Sequence, residues 1–109
     1  MTTITKLNPV VTLINTFTVK PERQDELVRL LDAATEEVMR HLDGFVSANL
    51  HKSLDGKHVA NYAQWRDEAS FQAMLKNERA QVHMAQAAKL AEHYEPILYN
   101  ISAIIEATP

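Results

Sequence analysis

The sequence contains no cysteine and only two glycines among its 109 residues. The missing thiols exclude disulfides, thiolate metal sites, iron–sulfur clusters and a cysteine nucleophile. Two isolated glycines, Gly44 and Gly56, are too few for a P-loop or for the G-x-G-x-x-G motif that binds dinucleotides. The chain therefore lacks the usual sequence signatures of ATP, nicotinamide and flavin binding.

An excess of basic charge and a long apolar run are also missing. The formal net charge is −3 and the two signs are interspersed, so nucleic acid is not an expected partner. No apolar run approaches the roughly eighteen residues that span a bilayer, and residues 1–9 lack the apolar core of a signal peptide. We therefore expect a cytoplasmic protein with no membrane partner.

Residue spacing argues against two further kinds of site. Five histidines occur, but no two of them form an H-x-x-x-H or H-E-x-x-H pair, so no metal site is predicted. No serine lies in a G-x-S-x-G elbow, so a hydrolase triad has little support. An apolar cavity with hydrogen-bond donors is the kind of site that is left.

The most informative stretch is Gly44–Trp65, whose pattern predicts a β-hairpin. Two runs of strand-like composition flank Asp55 and Gly56. An Asp-Gly pair between such runs favours a type I′ turn, in which φ is positive at both central residues.

Alternation along the second strand of this hairpin places Asn61 and Trp65 on one face. Their apolar neighbours on that face are Val59 and Ala63. A carboxamide and an indole N–H would then aim donors into one apolar space. The alternative is that Asn61 bonds neighbouring backbone and Trp65 only fills the core.

The other elements follow from periodicity and from helix-boundary signals. They are a first strand at Val10–Val19, a helix at about Glu22–His41, a second helical segment capped by Asp67, a third helix at about Arg79–His93 and a last strand at about Ile97–Ala107. The apolar residues expected on the third helix are Val82, Ala85, Ala88 and Leu90. Asn15 is the one amide in the apolar row of the first strand and is a secondary site candidate.

This element order predicts a ferredoxin-like α+β fold, with a four-stranded antiparallel sheet and helices on one face. Residues 1–9 are expected to form an N-terminal extension and residues 10–109 a single domain. The second sheet face would expose apolar side chains, among them Val10, Ile14 and Tyr62. Such a patch favours a homodimer.

The hairpin resembles that of the antibiotic biosynthesis monooxygenase family, and within it the actinorhodin-pathway type. The matching residues are Gly44-Phe45, Ser47-Ala48, His51, Asp55-Gly56 and the run Asn61-Tyr62-Ala63-Gln64-Trp65. The resemblance covers roughly residues 10–106, mainly as a pattern outside the hairpin. It implies a dimeric α+β barrel in which two sheets pack face to face.

Members of that family oxidise polycyclic phenols or anthrones to quinones with molecular oxygen and with no metal or organic cofactor. The resemblance therefore implies a small aromatic substrate and an electron-rich phenolate that reduces oxygen itself. Asn61 and Trp65 would donate hydrogen bonds to the substrate oxygen and to the developing peroxide. His83 would accept the phenolic proton, unless it is a surface histidine.

A cavity between the sheet and the helices would hold this substrate. Seven side chains are expected to line it, and they suit a flat aromatic guest. They are Asn15, Phe17, Asn61, Trp65, Phe71, Met74 and His83.

The sequence departs from the family pattern at the proton-handling positions. The actinorhodin-pathway type has a tyrosine six residues after the motif tryptophan and an arginine farther along the helices. Here the first position is Phe71, and the second region offers Ala85, with Arg79 only nearby. Either Tyr94, Tyr99, His83 or water would then transfer the proton, or the chemistry has changed.

Two other functions stay open. Haem-degrading relatives of this fold also have an asparagine on the first strand and a histidine on the last helical segment, but their helix tryptophan would fall near Met74. A dimeric protein that binds a quinone or another aromatic without turnover is the non-enzyme alternative.

Overall fold

A four-stranded antiparallel sheet with helices on one face organises the chain, whose computed structural model describes residues 1–7 and 9–109. The strands are β1 (Val11–Thr18), β2 (Phe45–Lys52), β3 (His58–Trp65) and β4 (His93–Tyr99), and the helices are α1 (Gln24–Glu37), α2 (Glu68–Leu75) and α3 (Glu78–Leu90). The sheet order is β2-β3-β1-β4. The predicted ferredoxin-like α+β fold is confirmed.

The helices cover the inner face of the sheet and form two separate apolar clusters with it. One cluster, at the Trp65 end, contains Leu13, Val38, Ala63, Trp65, Phe71, Met74 and Ala80. The other, at the Phe17 end, contains Phe17, Val19, Leu27, Val59 and Ala87. None of the helices in the described part of the chain is both long and apolar enough to cross a membrane.

The first predicted helix is shorter than its pattern suggested. Residues 21–23 and 39–41 form single 3₁₀ turns on either side of α1. The helix ends because Val38 leaves helical geometry, with φ −125° and ψ −64°. Its side chain is buried among the Trp65-end cluster, so packing and not intrinsic propensity determines this end.

The hairpin forms, but its turn is not the predicted type I′. The strands stop at Lys52 and His58, and Gly56 is the one residue of the connection with positive φ, at 79°. Asp55 accepts hydrogen bonds from Ser53 Oγ at 2.6 Å and from Lys57 N at 2.9 Å. Gly56 N donates to the Ser53 carbonyl at 3.2 Å, so Leu54 and Asp55 are the central residues of the turn, and neither has positive φ.

The last strand runs from His93 to Tyr99, so the prediction of Ile97–Ala107 is wrong. Its partner β1 pairs from Thr18 opposite His93 to Thr12 opposite Tyr99. The pairing stops at Tyr99, one residue before β1 itself ends at Val11, so later residues have almost no length of strand to pair with. Pro96 is tolerated inside β4 because an edge strand has one side free of ladder hydrogen bonds.

The third helix begins near the predicted position but presents a different face to the sheet. Ala80 and Ala87 are its buried residues, while Val82 is 59% exposed, so the apolar face assigned to Val82 is wrong. The helix also ends at Leu90, which allows β4 to begin three residues later. The helix packs mainly against α1, and the residues that it buries are small alanines.

Residues 1–7 lie across the outer face of the sheet. Thr2 Oγ1 donates to Ser47 Oγ at 2.7 Å, and Gln64 Nε2 donates to the Thr3 carbonyl at 2.7 Å. Gln64 is almost fully buried and also accepts from Ser47 Oγ at 3.2 Å. The segment thereby satisfies an amide that would otherwise be costly to bury.

Asp67 caps α2, as the sequence predicted. Its side chain accepts from Ser70 Oγ at 2.6 Å and from Ser70 N at 2.8 Å, and these bonds hold the pKa of the Asp67 carboxyl below its ordinary value. Arg66 donates to both carboxylate oxygens of Asp43, at 3.1 and 3.0 Å, and lowers the pKa of that carboxyl. These contacts join the start of β2 to the end of β3.

Gly44 lies where these contacts meet. Its φ is 84°, and a Cβ at this position would overlap the buried Ser70 side chain. We expect Gly44→Ala to lower the free energy of unfolding by about 2 kcal/mol or more in urea titration, since positive φ alone costs an L-residue roughly 1–2 kcal/mol.

Gly56→Ala is the matched control for this prediction. Gly56 has a similar φ of 79°, but a Cβ there would meet only Pro21 Cβ, at 3.6 Å. The control should therefore show backbone strain without overlap. Equal losses in the two variants would contradict the role assigned to the Gly44–Ser70 contact.

Candidate active site

A cavity of about 390 Å³ lies between the inner face of the sheet and the helices. This volume falls in the range of small-molecule sites, which is roughly 300–1,000 Å³. Apolar side chains dominate the walls. The polar side chains that line it are Asn15, Thr35, Asn61, Trp65, His83 and Tyr94.

Strand pairing places two asparagines at the centre of this cavity. β1 and β3 are antiparallel with Asn15 directly opposite Asn61. On β1, Asn15 stands between Leu13 of the Trp65-end cluster and Phe17 of the Phe17-end cluster. Along β3, Asn61 occupies the same position between a residue of each cluster. The two amides thus interrupt the core and separate its halves, and the cavity lies in that gap.

The two amides are not satisfied by the protein around them. Within residues 1–7 and 9–109, the Oδ1 atoms of Asn15 and Asn61 are buried and have no hydrogen-bond partner. An unsatisfied buried polar group typically costs about 1–3 kcal/mol. Two such groups side by side in a cavity wall indicate a site that is maintained for a ligand at some expense in stability.

Trp65 is held firmly in the cavity wall. It is 2% exposed and packs edge-on against Phe45 and Phe71, with centroid separations of 5.5 and 6.3 Å. Perpendicular aromatic contacts of this kind fix the orientation of a ring. Trp65 and Asn61 come from the same face of β3, so the indole and the amide border one space.

His83 reaches the cavity from α3. Its side chain is 20% exposed, and Nε2 lies 3.9 Å from Glu37 Oε2 at the end of α1. Tyr94 also lines the cavity and stacks obliquely near Phe17, with centroids 6.2 Å apart. Tyr99, the other tyrosine considered for proton transfer, is opposite Thr12 and points to the outer face.

The structure brings all seven residues named from the sequence to this one cavity. They are Asn15, Phe17, Asn61, Trp65, Phe71, Met74 and His83. Ala85 also lies in the wall, where it carries no charge. The chemical roles of these residues remain predictions.

Several lining residues escaped the sequence reasoning. Thr35 and Met39 of the α1 side and Met84 of α3 border the cavity. Thr35 Oγ1 donates to the Leu31 carbonyl at 2.8 Å, so the hydroxyl group is satisfied within its own helix. Thr35 follows Leu31 by four residues and so lies on the same side of α1 as this apolar residue, which was the available signal.

The described residues contain no group of three or more His, Cys, Asp or Glu side chains that could hold a metal ion. The polar groups bordering the cavity are amides, a hydroxyl, an indole, a phenol and an imidazole. This set can donate and accept hydrogen bonds and can move a proton. It suits a flat guest with a few oxygen atoms on its rim.

Residues 10–86 match the family described as antibiotic biosynthesis monooxygenase. The chain belongs to the antibiotic biosynthesis monooxygenase family. The chain is 43% identical to tetracenomycin-F1 monooxygenase of Streptomyces glaucescens over 108 residues, which are 99% of this chain and 96% of that protein. Family membership and the 43% identity to a monooxygenase together identify the protein as a monooxygenase.

Solved structures of the antibiotic biosynthesis monooxygenase fold are also similar. The ActVA-Orf6 monooxygenase of Streptomyces coelicolor, solved with nanaomycin D, has a TM-score of 0.83 and 26% identity, covering 93% of this chain and 95% of that chain. SnoaB of Streptomyces nogalater, described as a cofactor-independent oxygenase and solved as the N63A mutant, shares the fold. Its TM-score is 0.77 and its identity 22%, covering 90% and 98% of the two chains.

The unsatisfied amides lead to a stability prediction. We expect Asn15→Leu to raise the free energy of unfolding of the ligand-free protein by about 1 kcal/mol, because a side chain of similar volume would replace an unsatisfied polar group. Chemical denaturation measures the change. Asn49→Leu is the control, since Asn49 Nδ2 donates to the Tyr62 carbonyl at 3.1 Å on the outer face and its loss should destabilise. A destabilised Asn15→Leu variant would mean that the amide has a partner in solution.

Proposed function

We propose that this monooxygenase oxidises a phenolic polycyclic aromatic, of the anthrone or naphthol kind, to a quinone with molecular oxygen and without a metal or organic cofactor. The observation that carries the proposal is the cavity with two opposed amides and a fixed indole in otherwise apolar walls. The 43% identity to tetracenomycin-F1 monooxygenase and the nanaomycin D complex of ActVA-Orf6 support an aromatic polyketide-like substrate.

The redox balance needs no further reductant. The substrate loses two hydrogen atoms and gains one oxygen atom, while the second oxygen atom leaves as water. All four electrons that reduce dioxygen therefore come from the substrate. An electron-rich phenolate can begin the reaction by transferring an electron to oxygen, provided that the protein favours its anionic form and excludes water.

The cavity residues fit this sequence of events. His83 accepts the phenolic proton and leaves a phenolate on the rim of the guest. Asn61 and Trp65 donate hydrogen bonds to the substrate oxygen and to the peroxide that forms after oxygen adds. Asn15, Phe17, Phe71 and Met74 hold the ring system. Because these groups are fixed by strand pairing and by aromatic packing, little reorganisation is needed during reaction.

Replacement of the proposed donors tests the mechanism. We expect Asn61→Ala and Trp65→Phe each to lower kcat for quinone formation by roughly 10²-fold, since loss of one transition-state donor has an effect of this size. Oxygen uptake and the quinone absorbance are measured with 1,8-dihydroxyanthrone, corrected for oxidation in the absence of enzyme. No cofactor is added.

Asn49→Ala provides the control for a surface amide. Asn49 lies on β2 and bonds the Tyr62 carbonyl and Thr2 on the outer face, outside the cavity. Its turnover should stay close to wild type. Unchanged turnover in both Asn61→Ala and Trp65→Phe would remove the two groups from the mechanism, and absence of oxygen uptake by wild type with any polycyclic phenol would refute the proposed function.

We also propose that the protein is a homodimer joined through the outer face of the sheet. Ile14 and Ile97 are paired there on neighbouring strands, and Ile97 and Tyr99 remain 45% and 44% exposed. Apolar side chains grouped on a sheet face are typical of an interface. A second copy would cover them.

Light scattering of the purified protein tests this association. Ile97→Glu should halve the measured mass, because a carboxylate would be buried without a partner in the interface. Val82→Glu is the control, since Val82 is an exposed apolar residue on α3 and lies away from the sheet face. A wild-type protein with the mass of one chain would refute the dimer.

A further inference from the structure

The cavity has one enclosed end and one open end. Trp65, Phe71 and Met74 line the enclosed end and are 2%, 6% and 6% exposed. The lining residues that are exposed, among those that the structure describes, are Ala85, Tyr94 and Pro96. The first of these belongs to α3, and the other two belong to β4. The cavity therefore opens to solvent between α3 and β4.

Helix packing explains why the opening lies on this side of the sheet. The two edge strands are β2 and β4. Helix α1 and the 3₁₀ turn at residues 39–41 pack against β2, whereas β4 makes extended contact with β1 alone within residues 1–7 and 9–109. Helix α3 lies against α1 and α2 instead. The described helices therefore leave the β4 side of the cavity open.

Strand register places the proposed hydrogen-bond donors away from this opening. Asn61 pairs with Asn15, and Asn15 pairs with Pro96, so the three residues form one row across β3, β1 and β4. Neighbouring strands lie about 4.8 Å apart, which puts Asn61 about 10 Å from the exposed Pro96. A fused-ring guest can lie along this row, over the two amides.

The geometry points to the opening between α3 and β4 as the substrate entrance, and to Ala85 and Tyr94 as residues that determine which substituents the substrate can carry at one end. The inference deepens the proposed function and rests on it. The ring that is oxidised lies toward Asn61 and Trp65, and the opposite end of the substrate lies at the opening. A charged or polar substituent is accepted at the open end, where it stays in water. It is excluded from the enclosed end, where it would lose its hydration.

The proposed dimer leaves this opening free. Side chains alternate along β4, so Tyr94 and Pro96 face the helices while Ile97 and Tyr99 face outward. A second copy on the outer face of the sheet would cover the outward pair only. Substrate can therefore enter each protomer of a dimer by the same route.

Anthraquinones with charge at one end or at both ends test this arrangement. Trp65 is the single tryptophan of the chain and lines the cavity, so quenching of its fluorescence measures binding. We expect 2-(hydroxymethyl)anthraquinone and anthraquinone-2-sulfonate to have Kd values within about fivefold of each other. Anthraquinone-2,6-disulfonate should bind at least about 100-fold more weakly, because one of its sulfonates would have to enter the enclosed end.

A charge placed at the opening tests which end of the cavity is open. We expect Ala85→Lys to lower the Kd of anthraquinone-2-sulfonate about threefold at low ionic strength, because an ammonium and a sulfonate would meet in solvent, and salt should remove the gain. The Kd of neutral 2-(hydroxymethyl)anthraquinone should not change. Gln86→Lys is the matched control, since Gln86 is the next residue of α3, is exposed and lies outside the cavity wall.

Stopped-flow quenching of Trp65 tests the entrance itself. Ala85→Phe should slow both association and dissociation of anthraquinone-2-sulfonate roughly tenfold, with Kd within about threefold of wild type, because it narrows the route more than it changes the bound state. Tyr94→Ala should accelerate both steps. Gln86→Phe should leave the rates as they are in wild type.

Three results would overturn the inference. They are equal binding of the monosulfonate and the disulfonate, failure of the monosulfonate where the neutral quinone binds, and association rates that neither Ala85→Phe nor Tyr94→Ala changes. An equal effect of Ala85→Lys and Gln86→Lys would also contradict the position of the open end.

These measurements involve no turnover, so they separate the inference from the proposed reaction. If the quinones bind as expected and wild type takes up no oxygen with polycyclic phenols, the entrance is supported and quinone formation is refuted. If none of the three quinones binds, the cavity does not hold an aromatic guest, and both proposals are refuted.

Discussion

The pairing of β1 with β3 is the constraint on which the rest of this structure depends. In the observed register Asn15 faces Asn61 across the strand pair, and both point toward the helices. A slip of either strand by one residue would turn the inner face of that strand outward, because side chains alternate with a period of two. A slip of β1 would bury Thr16 and expose Phe17, and a slip of β3 would bury Tyr62 and expose Trp65. The apolar residues on both strands therefore hold the register, and the amides are carried into the interior with them.

The same arrangement explains why an enzyme this small can hold an open cavity. The two apolar clusters, at the Trp65 end and the Phe17 end, are separated by the opposed amides, which neither cluster can satisfy. Filling the gap with aliphatic side chains would join the clusters into one core and would stabilise the chain. Stability is thus given up at the proposed ligand site, as is common at functional sites.

Strongly periodic segments were predictable from the sequence, and their ends were not. The face of β3 that carries Asn61 and Trp65 follows from alternation alone. The end of β4 does not, because residues after Tyr99 have the same apolar alternation as the strand and lack only a neighbour in the sheet. Likewise, the buried face of α3 contains Ala80 and Ala87, whose small side chains give a weaker periodic signal than the exposed Val82.

By itself, the sequence determined the class of the fold and the polar residues that face the helices, because these depend on local periodicity and on the spacing of a few turn residues. Only the tertiary structure decided that Asn15 would stand opposite Asn61, that both amide oxygens would lack partners, and that His83 would meet Glu37. These are contacts between residues separated by more than forty positions in the chain. Strand register and helix rotation, which arise from the packing of the whole core, fix them.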